Sequence, residues 1–238
     1  MDDLYRTEER LRRQRGYRFI AGADEAGRGA LAGPLMVGVV VLDAGKDAIP
    51  WLDDSKKMTV RRRAEACERI KEEAIAWAVG SADIHTIDKY GPDHAESVAL
   101  VEAFKDVKTQ LEGVNPDILL IDGDGALEFP SDDVEVEYLV GGDSTVAVIA
   151  AASVVAKEAR DEYMRRLCEL GEGSEVLYNF DVNKGYPTAA HIKVIKKHGF
   201  CEHHRLRYLK KHMPYEILTE EYQKREKKIA AKKKFSTG

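Results

Sequence analysis

Phe19-Ile-Ala-Gly-Ala-Asp-Glu-Ala-Gly-Arg-Gly-Ala-Leu-Ala-Gly-Pro34 is the stretch on which the reading of this chain turns. An apolar strand start runs straight into two adjacent acids, Asp24 and Glu25, and then into a glycine-rich loop carrying one arginine. Neighbouring strand residues point to opposite faces, so one of the two acids must face a core. A carboxylate in that position is costly unless something cationic neutralises it, while glycines let the backbone approach a ligand closely. The segment therefore reads as a seat for metal ions beside a phosphodiester.

Elements of alternating type extend from it on both sides. Residues 4–15 form a short solvated helix, and the pattern changes at Tyr17 to a first strand running to Asp24. Pro34-Leu-Met-Val-Gly-Val-Val-Val-Leu42 is a β-branched run suited to a strand covered on both faces, and the short return predicts antiparallel pairing with the first. Val60, Ala64, Cys67, Ile70 and Ala74 recur at helical spacing over 59–73, and a third strand is expected over 74–79. A helix follows from Pro92 to Glu112 on the face Val98, Val101, Phe104, Val107 and Leu111, with the proline in its first turn. Asp117–Asp122 reads as a short apolar strand ending in an acid and Val134–Tyr138, alternating with period two, as a half-exposed strand near the sheet edge, ended by Gly141-Gly142. Residues 145–168 form a long helix whose Ala147, Ala150, Ala151, Ala152 and Ala156 let it lie close to the sheet, with Asp143 or Ser144 as N-cap. A further helix covers 188–197. The sum is an α/β sheet of mixed strand direction.

Apolar residues at 44% and charged residues at 33% describe a globular chain with a sizeable core. One domain over 17–209 with a basic, helical C-terminal extension over 210–238 is the expected division, and a monomer the expected state. A formal net charge of −5 excludes a protein basic all over, so a nucleic-acid surface must be a local patch. The tail from Glu216 to Lys234 carries many lysines and either adds nonspecific DNA affinity or is a solvated end. Cys67, Cys168 and Cys201 are odd in number and never spaced Cys-x-x-Cys, which argues against a disulfide framework or a zinc ribbon. With no apolar leader and no membrane-length apolar run, a cytoplasmic protein without membrane contact is expected.

Asp24, Glu25, Asp122 and Asp143 share one property: each lies where an apolar strand meets a glycine-containing turn. If they converge, each close pair repels by about 4 kcal/mol at 4 Å in a partly screened setting, so the cluster requires cations. A donor set of oxygens alone favours Mg²⁺ or Mn²⁺. Taken singly, Asp122 reads more readily as a turn residue and Asp143 as a helix cap.

Several motifs occurring in one order make a resemblance specific. Gly22-Ala-Asp-Glu-Ala-Gly-Arg-Gly29, Asp54-Ser-Lys-Lys57, Ile121-Asp-Gly123, Gly142-Asp-Ser144, Ala150-Ala-Ala-Ser-Val-Val-Ala-Lys157 with Ala159-Arg-Asp161, Lys184-Gly-Tyr-Pro-Thr188 and Glu202-His-His-Arg205 together resemble ribonuclease HII over residues 17–208. The resemblance implies a ribonuclease H-like fold: a mixed five-stranded sheet flanked by helices, with a helical C-terminal part. It implies an endoribonuclease that hydrolyses the RNA strand of RNA/DNA hybrids and single ribonucleotides embedded in duplex DNA. The implied chemistry is two-metal-ion, in-line hydrolysis with Mg²⁺ or Mn²⁺, giving 5′-phosphate and 3′-hydroxyl ends.

Carried over by motif, Asp24, Glu25, Asp122 and Asp143 are the metal-binding catalytic carboxylates. Backbone groups of Gly27, Arg28 and Gly29 read the 2′-hydroxyl, acting with Tyr186, whose ring packs on the deoxyribose after the ribonucleotide. Lys56, Lys57, Lys184 and Arg205 are expected at phosphates. Arg160 and Asp161 read as an internal ion pair, and His203-His204 as structural or at the substrate edge. Gly142 departs from the pattern, since many relatives carry lysine there. The related ribonuclease HIII, with its additional N-terminal domain, is disfavoured by the short stretch ahead of Asp24. A clamp-binding peptide is not evident, since Phe235 stands alone. Two competing readings are an idle hybrid-binding protein, opposed by the full set of acids, and another nuclease of this fold such as a junction resolvase.

Overall fold

A computed structural model describes residues 3–43, 48–50, 52–125, 127, 129, 134–170 and 177–236. Five strands, β1 (Ile20–Ala26), β2 (Leu35–Val41), β3 (Ala76–Ala82), β4 (Ile118–Asp122) and β5 (Glu135–Leu139), form one sheet in the order β3-β2-β1-β4-β5. β1 pairs antiparallel with β2, and β2 with β3, whereas β1 to β4 and β4 to β5 are parallel. The mixed sheet expected from the sequence is thus present, with the alternating strand β5 at its edge. The third strand starts and ends later than its apolar run suggested.

The helices are α1 (Arg6–Arg15), α2 (Val60–Glu73), α3 (Ile84–Tyr90), α4 (Pro92–Gln110), α5 (Ala147–Leu170), α6 (Phe180–Asn183), α7 (Ala189–His198), α8 (Leu206–Leu209) and α9 (Tyr215–Ser236). Local chemistry sets several of their starts. Thr59 accepts the Arg62 N–H, Asp83 the Thr86 N–H and Thr188 the His191 N–H, while Pro92 opens α4. At the start of α5 the expectation fails. Neither Asp143 nor Ser144 caps it; the Val148 N–H is taken at 2.9 Å by Glu8 of α1, a buried carboxylate that no local pattern announces.

Glycines decide how closely the helices approach the sheet. A Cβ on Gly22 would lie 2.2 Å from the Val148 carbonyl carbon, and one on Gly38 would lie 2.4 Å from the Ala152 oxygen, so α5 rests on backbone. A Cβ on Gly80 would meet the Ala99 oxygen of α4 at 2.0 Å. Gly38 faces Asp24 across the β1–β2 ladder while Gly80 faces Val37, one residue out of phase, so α5 and α4 cover opposite faces. The core on the α5 side runs from Leu11 through Ile20, Val40, Ile118 and Leu120 to Val148, Ala151 and Val155.

Contacts divide the chain into two compact units, one comprising residues up to Arg28 with Pro34–Tyr163 and the other Gly29–Gly33 with the chain from Met164 onward. The expected division at residues 209 and 210 is a different one. The second unit has its own core of Leu31, Met164, Tyr178, Phe180, Ile195 and Leu209. Inside it the Leu31 N–H reaches the Gly185 carbonyl at 2.8 Å, and the Arg205 N–H reaches the Leu31 carbonyl at 2.8 Å.

Gly22→Ala should destabilise the protein by about 1–3 kcal/mol or more, because backbone rather than a side-chain tip occupies the space. Gly29→Ala, with nothing within 4 Å of the added carbon, should stay within about 0.5 kcal/mol of the parent. Urea unfolding compares them, and equal midpoints would contradict the close approach of α5.

Candidate active site

Sheet register brings the first two acids together. Ala23 pairs with Ile121 across the parallel β1–β4 ladder, so Asp24 and Asp122 come next in line on the same face. That face is the one α5 covers, and Asp143 sits in the 3-10 turn Gly142–Ser144 just ahead of α5. The result is a cluster in which one ligand atom from each of Asp24, Asp122 and Asp143 lies within 4.8 Å of the others. Gly142, the departure from the family pattern, donates its N–H to Asp122 Oδ1 at 2.7 Å and so ties the turn to the end of β4. A Cβ there would meet Ile149 at 2.6 Å.

Asp24 is only 3% exposed. Its Oδ1 accepts the Glu25 N–H at 2.7 Å, and its Oδ2 is buried without a hydrogen-bond partner. Burial, and after it the charge of Glu25, pushes the Asp24 carboxyl well above its ordinary range. Burial also raises Asp122, against the opposing Gly142 N–H. An orphaned buried oxygen beside two more carboxylates, with no imidazole or thiol among the ligand atoms, suits a hard divalent cation.

Glu25 takes the opposite face of β1 and is not part of the cluster of three. It lines a cavity of about 360 Å³ with Asp122, Arg28, Glu96 and Tyr138. Glu96 of α4, a residue the motifs did not single out, is raised to about 7 by burial and then by Glu25. It and Asp93 hold the Arg28 guanidinium, so the arginine side chain is engaged by α4. Gly27 has a φ of 92°, and a Cβ on it would lie 2.0 Å from Arg160 Nε. The turn before Gly29 is therefore held from beneath by Arg160 and from the side by α4.

The basic residues separate on inspection. Lys56 Nζ stands 3.1 Å from Asp143 Oδ2; burial alone would lower this ammonium, but Asp143, helped by Asp24 and Asp54, raises it. Lys57 reaches Ser144 Oγ at 3.3 Å. Ser55 and Ser153 hydroxyls meet at 2.8 Å, which fixes the Asp54–Lys57 turn against α5. Lys184 is half-buried, with its ammonium on the Asp181 carbonyl. Arg205 departs from the expectation of a phosphate contact: it is fully buried, and its Nε is bound to the Gly33 carbonyl at 2.8 Å. The expected Arg160–Asp161 pair is also replaced, since Asp161 meets Arg63 at 3.3 Å and Lys157, and Arg160 Nε meets the Pro34 carbonyl at 3.0 Å. Tyr186 is half-buried, its N–H on the Asn183 carbonyl at 2.9 Å.

The family model described as Ribonuclease HII matches residues 21–212. The chain belongs to the ribonuclease HII family. Ribonuclease HII of Caldicellulosiruptor bescii is 37% identical over 209 residues, covering 88% of this chain and 95% of the relative. That of Nitrosomonas europaea is 42% identical over 188 residues, covering 79% and 81%. Among solved structures, the PCNA:RNase HII complex from Archaeoglobus fulgidus aligns with a TM-score of 0.59 at 24% identity over 80% of this chain and 95% of that one. Bst-RNase HIII in complex with Mn²⁺ aligns with a TM-score of 0.54 at 19% identity over 79% and 65%. These likenesses show the ribonuclease H-like fold. As a ribonuclease HII the protein is a metal-dependent endoribonuclease acting on RNA/DNA hybrids. Among the described residues no helix is long and apolar enough to cross a membrane.

Without metal, the folded protein binds the Asp24 proton more tightly than the unfolded chain does, so stability falls as pH rises from about 4 towards neutrality. Asp24→Asn should remove that loss and raise the metal-free melting midpoint at pH 7 by about 2–4 °C for each kcal/mol regained. Calorimetry in chelator across pH tests this, and a lower midpoint for the variant would contradict it.

Proposed function

We propose that this ribonuclease HII also cleaves duplex DNA at single embedded ribonucleotides, and that Asp24, Glu25, Asp122 and Asp143 hold two divalent ions, Mg²⁺ or Mn²⁺, for in-line hydrolysis. The observation carrying the metal reading is the unpartnered Asp24 Oδ2 beside the carboxylates of Asp122 and Asp143. Bound, such ions would activate a water on one side of the phosphorus and stabilise the leaving 3′-oxygen on the other, which leaves 5′-phosphate and 3′-hydroxyl ends.

The chain's own groups prepare this. The Gly142 N–H sets the Asp122 carboxylate in place, and Lys56 offsets part of the negative charge on Asp143. Lys57, exposed beside Ser144 and 3.8–3.9 Å from the carboxylates of Asp53 and Asp54, would turn to a phosphate and position the duplex without reading its sequence. Lys184 takes the same role in this reading, and Arg205, sealed inside the protein, does not.

Discrimination of RNA requires a group that reads the 2′-hydroxyl, both a donor and an acceptor. Because the Arg28 side chain is occupied by Asp93 and Glu96, the reading falls to the backbone of Gly27, Arg28 and Gly29. Tyr186 supplies the aromatic face for the deoxyribose that follows.

A labelled duplex with one ribonucleotide should be cut to 5′-phosphate and 3′-hydroxyl products, while an all-DNA duplex stays intact; cutting of both would point to another nuclease. Asp143→Asn should retain substrate binding and lose turnover by more than about a hundredfold, the scale expected on removing a charged ligand. Near-normal rates at saturating Mg²⁺ would contradict the assignment.

A further inference from the structure

Within the unit formed by Gly29–Gly33 and the chain from Met164, two imidazoles meet nitrogen to nitrogen. His191 Nε2 and His204 Nε2 are 3.0 Å apart, both rings are buried, and Tyr178 and Phe180 flank them at centroid distances of 4.6–6.2 Å. Their outer nitrogens settle where the ring protons lie. His191 Nδ1 is 2.9 Å from the Tyr186 carbonyl oxygen, which can only accept, so this nitrogen carries the proton and Nε2 is bare. At the other end, His204 Nδ1 is 3.0 Å from the Cys201 backbone nitrogen, which can only donate, so Nδ1 is bare and Nε2 carries the proton. Both ends demand the same middle: His204 Nε2–H donates to His191 Nε2. An added proton would set two N–H groups face to face.

Burial disfavours the charged form of both rings. It lowers His191 and, aided by the charge His191 would carry, takes His204 down to about 3. The titratable groups facing the pair are Tyr178, the Cys201 thiol at 3.2 Å from His204 Nδ1, His203, and Arg225, whose guanidinium binds the His204 and Cys201 carbonyls at 2.8 and 3.3 Å.

What the pair holds is the loop of Tyr186. Lys184 and Gly185 both have left-handed φ, 52° and 78°, so the loop depends on bracing from outside its own sequence. Asn183 braces it from before, through Oδ1 to the Gly185 N–H at 2.7 Å. Leu31 braces it from the glycine-rich segment by donating to the Gly185 carbonyl at 2.8 Å, and Arg205 in turn donates to the Leu31 carbonyl at 2.8 Å. The two rings close the remaining side, running from the Tyr186 carbonyl to the Cys201–Arg205 turn.

We propose that His191 and His204 are positioning residues for substrate choice: a two-ring strut that fixes the Tyr186 peptide relative to Leu31, two residues past Gly29. The inference rests on Tyr186 reading the RNA-to-DNA junction. Neither imidazole touches the nucleic acid; each acts through Tyr186.

Two measurements test it. In the wild-type protein, ¹⁵N spectra at neutral pH should show His191 protonated at Nδ1 and His204 at Nε2, with both rings titrating below the ordinary histidine value. Opposite tautomers, or a ring titrating near its ordinary value, would overturn the strut. In variants, kcat/KM is compared on a duplex with one embedded ribonucleotide and on a long RNA/DNA hybrid, after melting confirms folding. His204→Phe should lower the ratio of embedded to hybrid cleavage by about tenfold, as coupled groups in one network do. His204→Gln, which restores a donor towards His191, should recover part of it, and Tyr186→Ala should add little to His204→Phe. A Tyr186→Ala protein with unchanged preference would remove the junction reading, and the inference with it. Altered preference in Tyr186→Ala with none in a folded His204→Phe would overturn the strut alone.

Discussion

The chain must bury a carboxylate one of whose two oxygens has no hydrogen-bond partner in the protein. Asp24 lies on the face of β1 that α5 covers, beside Asp122 and Asp143, and one of its oxygens finds no donor. Three negative groups this close repel by several kcal/mol even with partial screening. The fold offsets that cost from elsewhere: a continuous apolar core, a long helix seated on glycine backbone, and one ammonium, Lys56, against Asp143. A divalent cation removes the conflict, which gives the metal dependence of the family a physical origin in this chain.

Everything around the cluster serves to keep it from relaxing. Gly22 and Gly38 let α5 approach so closely that the turn carrying Asp143 has little room to withdraw. Glu8, from α1, takes the Val148 N–H and anchors the start of the same helix. Ser55 and Ser153 fix the turn that delivers Lys56. On the other face of β1, Glu25 and Glu96 extend the negative field into the neighbouring cavity, where Arg28 is the balancing cation. Positional rigidity of this kind is what an in-line reaction needs, since its reacting groups must be held in place before chemistry begins.

Much of this is legible in the sequence alone. The β-branched run over 35–41, the helix opened by Pro92 and the alanine-rich helix follow from local chemistry, and each is where it was expected; of the four acids, Asp24, Asp122 and Asp143 come together while Glu25 takes the opposite face of β1. The residues misjudged depend on distant partners. Arg205 looks like a surface cation beside other charges, yet its guanidinium belongs to Gly33, 172 positions earlier. Asp143 looks like a cap because it precedes a helix, but Glu8, 140 positions ahead of the Val148 N–H it accepts, does that work. Glu96 carried no signal beyond a charge on an amphipathic helix, and its importance appears only when β1 brings Glu25 to it. The short helix Ile84–Tyr90 was hidden by its lack of a clear apolar stripe.

The most direct test of the central claim is anomalous diffraction from crystals grown with Mn²⁺. The account requires manganese peaks bound by the carboxylates of Asp24, Asp122 and Asp143, with the formerly unpartnered Asp24 oxygen among the ligands. Peaks confined to other carboxylates, with the Asp24 oxygen still unligated at saturating metal, would contradict it.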